Sequence, residues 1–115
     1  MATIAFIGDV MLGRGVNDQI AARAPDSFWG DVLPVLRSAD AVVANLECAI
    51  TDRTEPWSRT FKVFHFRAAP EAVEVLRAAS VRCVTLANNH TLDFREAGLL
   101  DTLDHLQAAG IPYTG

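Results

Sequence analysis

Cysteine is scarce in this sequence: Cys48 and Cys83 are the two among 115 residues, without CxxC spacing or companions. That excludes a disulfide framework and a thiolate zinc centre, and fits reduced thiols. Long apolar runs are missing too. None approaches the ~20 residues that a membrane-crossing helix needs. The opening stretch has no basic start and is cut short by Asp9, so it does not read as a signal peptide. Basic charge is in deficit, with 10 Lys and Arg against 14 Asp and Glu and a net charge of −4; a nucleic-acid module would show a basic face. Internal repeats and low-complexity tracts are absent. What remains is a globular balance, 50% hydrophobic and 21% charged, sufficient for one core. The expectation is a mildly acidic, soluble, cytoplasmic domain.

Strands and helices alternate along the chain. Ala2 to Ile7 is an unbroken apolar run of β-formers ending at Gly8-Asp9, as a buried parallel strand requires. A helix is expected around Val16 to Ala24, and a second helical stretch over Phe28 to Arg37, kinked or broken at Pro34. Ala41 to Ala44 is a second buried strand, and 51 to 60 a polar surface loop. Phe61 to Phe66 alternates as a weaker strand would. Pro70 opens a helix that ends near Ser80, and Arg82 to Leu86 is a further apolar strand. Leu99, Leu103 and Leu106 place an apolar stripe on a last helix closed by Gly110 and Pro112; Tyr113 begins one more strand. This order predicts an α/β fold with a mainly parallel sheet and flanking helices.

Three apolar strands end in residues that a core would not choose: Asp9 after the first, Asn45 and Glu47 after the second, Asn88, Asn89 and His90 after the third. In an open parallel sheet the carboxyl ends of the strands share the edge where ligands sit. Hard oxygen donors with one imidazole suit Mn, Mg, Fe(II) or Zn. Two carboxylates brought together repel unless one is protonated or a cation intervenes. Each position also has a plainer reading. Asp9 can cap a turn, Asn45 and Glu47 the following loop, His90 the backbone after its strand, and Asp93 the start of the last helix. His65 reads as a wall residue, His105 as solvated and Cys83 as core; Cys48 could approach the site but has no identifiable base. The Gly8 to Gly15 loop lacks the Lys and Ser/Thr of a phosphate loop.

In order along the chain stand Gly8-Asp9-Val10-Met11-Leu12-Gly13-Arg14, Asn45-Leu46-Glu47, Phe64-His65-Phe66-Arg67-Ala68-Ala69-Pro70, Leu86-Ala87-Asn88-Asn89-His90-Thr91-Leu92-Asp93-Phe94 and Gly98-Leu99-Leu100-Asp101-Thr102-Leu103. Together they resemble the N-terminal half of the CapA family of poly-γ-glutamate capsule biosynthesis proteins, within the calcineurin-like metallophosphoesterase superfamily. The resemblance implies the N-terminal portion of a four-layer sandwich and a hydrolase with two divalent ions, Mn, Fe or Zn. It implies Asp9, Asn45, Glu47 and Asn89 as metal ligands and His90 as the acid that protonates a leaving group. Met11 stands where the superfamily's first motif has a histidine, and Asn45 where the second has a bridging aspartate.

The resemblance further implies an anionic polymer or phosphoester as substrate, with Arg14 and Lys62 placed to touch it and Arg59 a further candidate. It implies histidine ligands from a second half of the domain. The expectation is therefore that residues 1–115 are a truncated CapA-like domain, with weak metal binding and little or no turnover. Family members are often membrane-anchored. The rival reading is a non-catalytic ligand-binding or assembly fragment, pairing as a homo-oligomer through an open sheet edge.

Overall fold

The computed structural model describes all residues, 1–115. Its main sheet has four parallel strands in the order β1-β2-β5-β6: β1 (Ile4–Val10), β2 (Ala41–Leu46), β5 (Val81–Thr85) and β6 (Tyr113–Thr114). Two short parallel strands, β3 (Ala49–Ile50) and β4 (Arg67–Ala68), make a second sheet. The helices are α1 (Arg14–Ile20), α2 (Leu33–Ser38), α3 (Ala72–Ala78) and α4 (Arg95–Ala108). The expected α/β class with a mainly parallel sheet and flanking helices is the one observed. No helix is long and apolar enough to cross a membrane.

Each step from β1 through β6 moves one way across the sheet, so right-handed crossovers carry the connecting helices to one face. That face holds the core. Val42, Ala44 and Leu46 of β2 are buried with Val84 of β5, against Leu33 and Leu36 of α2, Val75 and Leu76 of α3 and Leu106 of α4. Burying each such Leu or Val is worth ~1.5–3 kcal/mol. The opposite face carries the row Phe6, Val43 and Cys83. It is thinly covered: Phe6 is 77% exposed.

β1 contains the irregularity that matters for the site. Phe6 pairs Val43 and Asp9 pairs Asn45, so β1 spends one residue more than β2 over this interval. Gly8 absorbs the extra residue at φ +72°, a left-handed conformation that glycine adopts without penalty. Three residues after Phe6, Asp9 would otherwise point to the other face; the bulge returns it to the face of Phe6, beside Asn45.

Several expected elements differ in extent. The second helical stretch opens as 3₁₀ turns at Pro25–Phe28 and Gly30–Val32, and Pro34 then sits in the first turn of α2, where its missing N–H costs nothing. Phe61 to Phe66 is not a strand. Its aromatic alternation reflects stacking rather than pleating, with Phe66 on His90 at 4.1 Å and Phe64 on Phe66 at 6.2 Å. Only Arg67 and Ala68 enter a ladder. Asp93 does not cap α4; Phe94 holds that position, and no side chain caps it. The fully buried residues of α4 are Gly98, Thr102 and Leu106, with Leu99 and Leu103 half-buried beside them. Thr102 is tolerated there because its hydroxyl donates to the Gly98 carbonyl at 2.8 Å and accepts the Ile50 N–H at 3.0 Å. Gly110 closes the helix in a Schellman arrangement, with N–H bonds from Gly110 to Gln107 and from Ile111 to Leu106.

Cys48 lies beneath the strand ends, 1% exposed. Burial pushes its thiol up to about 12, with Asp93 and Glu47 adding to the rise against a lowering backbone hydrogen bond at Leu12. At pH 8 it is therefore a neutral, unreactive thiol. Iodoacetamide at that pH is expected to modify half-buried Cys83 in the folded protein and to reach Cys48 only in denaturant. Mass analysis of the digested protein checks this; native labelling of Cys48 at the rate of Cys83 would contradict it.

Candidate functional site

The ends of β1, β2 and β5 bring five of the sequence-selected residues, Asp9, Asn45, Glu47, Asn88 and His90, into one hydrogen-bonded network. Asn45 Nδ2 donates to Asp9 Oδ1 at 2.9 Å and to Glu47 Oε1 at 3.3 Å. One amide thus stands between two carboxylates and relieves part of their repulsion. Its orientation follows from its neighbour. Asn88 Nδ2 donates to the Leu46 carbonyl and to Asn45 Oδ1, both at 2.9 Å, while Asn88 Oδ1 accepts the His90 N–H at 2.9 Å. With Asn88 fixed by two backbone partners, Asn45 must turn its oxygen to Asn88 and its nitrogen to the acids.

His90 is held from three sides. Its Nδ1 is 2.6 Å from Asp93 Oδ2, Phe66 stacks on the ring, and Asn89 Nδ2 lies 3.4 Å from Nε2. A carboxylate can only accept, so Nδ1 carries the proton and Nε2 is the nitrogen left for chemistry. Asp93 is the site residue whose role was missed in the sequence. It is fully buried, and its Oδ2 also accepts the Phe66 N–H at 2.7 Å. The Lys62 ammonium lies 2.6 Å from Oδ1 but off the direction of a hydrogen bond, so that contact is Coulombic. Lys62, the one lysine of the chain, also donates to the Asn89 carbonyl. The signal was available: a lone lysine, and an acid three residues after the histidine.

The remaining candidates lie apart from this network. Met11 turns its sulfur back to the Gly13 N–H at 3.0 Å. Arg59 pairs with Glu96 at 2.7 Å on the surface. His65 Nε2 contacts the Trp57 carbonyl at 3.1 Å. Arg14 lies over the Phe64 ring, 5.4 Å from its centroid.

The bacterial capsule synthesis protein family PGA_cap matches residues 3–115 of the chain. The chain belongs to this family. PGA_cap relatives include the PGA biosynthesis protein CapA of Bacillus subtilis (strain 168), 30% identical over 111 residues, which are 96% of this chain and 29% of that protein. The capsule biosynthesis protein CapA of Bacillus anthracis is 29% identical over 114 residues, 98% of this chain and 28% of that one. A probable polyglutamine synthesis accessory protein of Mycobacterium tuberculosis is 32% identical over an alignment of 148 residues, spanning all of this chain and 38% of its own length. The chain therefore spans less than two-fifths of these curated relatives.

As a cation site the network fits in kind and is short in number. Asp9 and Glu47 supply hard oxygen donors, the kind that Mg or Mn prefer, and both accept from the Asn45 amide. No group of three or more His, Cys, Asp or Glu is close enough to hold a metal ion, and Asn45 offers the acids a donor. The two acids alone do not make a complete cation site.

Proposed function

We propose that this PGA_cap chain carries the strand-edge part of a metal-dependent hydrolase site that acts on an anionic polymer or phosphoester in capsule or polyglutamate biosynthesis. The observation that carries the reading is the convergence of Asp9 and Glu47 on one amide, next to a histidine oriented by a buried carboxylate. Asp9 and Glu47 would hold the divalent cation, with the Asn89 amide oxygen as a further donor. When bound, such an ion polarises the electrophile and lowers the pKa of water.

The chain's own residues do the rest. Asp93 fixes the His90 tautomer and stabilises the ring when it is charged. Phe66 stops the ring from turning away. Nε2 is then presented as the group that gives a proton to a leaving oxygen. Asn45 keeps the two acids at a fixed spacing through its two N–H bonds, and Lys62 balances the charge of Asp93 so that the carboxylate can stay buried.

So few ligands predict weak binding, on the order of 10⁻⁴–10⁻³ M. Titration with Mn²⁺, followed by paramagnetic broadening of amide signals, is expected to affect residues 9 and 45–47 first. Asp9→Asn and Glu47→Gln should each weaken the effect about tenfold. Broadening centred on other acids would defeat the reading, as would unchanged broadening in both variants. Phosphoester turnover by the 115-residue chain is expected to be slight and to vanish in His90→Gln.

A further inference from the structure

We infer that the cavity between α1 and β4 is an oxyanion subsite, which takes a carboxylate or phosphate group of a substrate at a distance from the strand-edge site. The inference rests on the strand-edge reading for its neighbour, and on the cavity's own chemistry for its ligand.

The cavity is about 430 Å³ and is lined by Arg14, Asn17, Asp18, His65, Arg67 and Phe94, with Gly15 at its rim. Basic side chains in this protein are mostly spoken for. Six of the ten Lys and Arg lie within 4 Å of a carboxylate. Arg14 and Arg67 are not among them, and they face the same cavity. A guanidinium fork is the group best matched to a carboxylate or phosphate, and two of them without acid partners invite an external anion.

Both are pre-positioned. Arg67 is half-buried; its Nη1 donates to the Thr51 carbonyl at 3.1 Å, and its guanidinium lies 5.9 Å from the Phe94 ring centroid. Arg14 is held over Phe64 in a left-handed backbone conformation, φ +54°. The two segments meet because Gly13 has no side chain: a Cβ there would lie 3.1 Å from the backbone N and O of Arg67. Asn17 accepts the Ala69 N–H on its Oδ1 at 2.7 Å, leaving its amide N–H groups as donors. His65 donates Nε2–H to the Trp57 carbonyl, which leaves Nδ1 an acceptor, so the guanidinium and amide groups are the cavity's donors. Asp18 is the one acid lining the cavity. Against two guanidinium groups it leaves a net positive charge in a chain of net charge −4.

The cavity is linked to the histidine by the chain and not by a shared wall, since none of its lining residues belongs to the strand-edge network. Phe66 stacks on His90 and gives its N–H to Asp93, and Arg67 follows it directly. An anion held here would fix a remote part of an extended anionic substrate, which is how remote charge contacts are converted into orientation.

The test uses the 115-residue chain in chelator, titrated separately with inorganic phosphate and with a short glutamate oligomer, and read by amide chemical shifts. Saturable shifts are expected in residues 14–18 and 65–67. Arg14→Gln should weaken binding about tenfold, and Asp18→Asn should tighten it roughly threefold by removing a like charge. Both side chains are exposed, so melting temperatures should be unchanged and the opposite signs separate charge from fold. Binding of phosphate alone, or of the oligomer alone, supports the subsite and names its ligand. The inference is overturned if neither probe gives saturable shifts in these residues, or if Arg14→Gln binds as the wild type does. Because this titration is done in chelator, anion binding together with Mn²⁺ broadening that misses residues 9 and 45–47 would remove the hydrolase reading and leave the subsite standing. Mn²⁺ broadening at those residues without anion binding would do the reverse.

Discussion

Replacing Asp93 by alanine is expected to cost about 3–5 kcal/mol of folding stability, the range for breaking a buried charge pair by removing one partner. Three groups lose their partner at once. The Phe66 N–H loses its 2.7 Å hydrogen bond, His90 Nδ1 its 2.6 Å partner, and Lys62 the carboxylate 2.6 Å away. Lys62 cannot simply turn to water, since its side chain is only 21% exposed. Asp93→Asn should cost less, because an amide oxygen still accepts one N–H, but its NH₂ cannot answer the ammonium. Lys62→Met is expected to destabilise on its own, as it leaves a carboxylate fully buried without a counter-charge. The double variant Lys62→Met/Asp93→Asn should then be more stable than the sum of the single losses implies. Urea denaturation at constant m-value measures all four proteins. A loss below about 1 kcal/mol for Asp93→Ala would mean that the buried pair is not a structural unit, since buried pairs normally cost several times that.

The prediction also shows where a sequence reading stops. β2 and β5 were legible because buried parallel strands are written as continuous apolar runs; β1 carries the same run, but as an edge strand it leaves Ile4 and Phe6 exposed. Their polar ends were legible for the converse reason: Asp9, Asn45 and Asn88 interrupt those runs where burial would not admit them unpaired. The direction of each polar group was not legible. Asn45 read as a possible ligand, whereas its nitrogen faces the acids because Asn88 is fixed by the Leu46 carbonyl and the His90 N–H. Such a constraint joins residues 43 positions apart and has no local signature. Asp93 was misread for a similar reason. An acid ahead of a helix is the ordinary cap, and only the folded chain brings Lys62 and Phe66 to it. The segment 61–66 misled in the opposite sense, since alternating aromatics are the usual mark of a pleat. Here Phe64 and Phe66 stack in series toward His90, and the backbone makes no ladder until Arg67.

Gly8 is the residue whose replacement should harm site geometry more than its distance from any ligand group suggests. Its φ of +72° belongs to the bulge that turns Asp9 toward Asn45. Nothing lies within 4 Å of a Cβ built at Gly8, so crowding plays no part and the cost of a side chain is conformational alone. Asparagine tolerates left-handed backbone best, alanine less well, and a β-branched residue worst. Gly8→Asn, Gly8→Ala and Gly8→Val are therefore expected to destabilise in that order, with valine reaching about 1–3 kcal/mol. Valine offers the chain two ways out. It can keep the bulge and carry the strain, or straighten β1 and swing Asp9 to the opposite face of the sheet, where the 2.9 Å bond from Asn45 is broken and Glu47 is left as a single acid. Urea denaturation and Mn²⁺ broadening separate these routes. Retained broadening with lowered stability marks the first, and lost broadening at residues 45–47 with a larger stability loss, because Asp9 then meets the core face, marks the second. Equal stabilities across the three variants would show that the left-handed turn at Gly8 is not what directs Asp9 into the site.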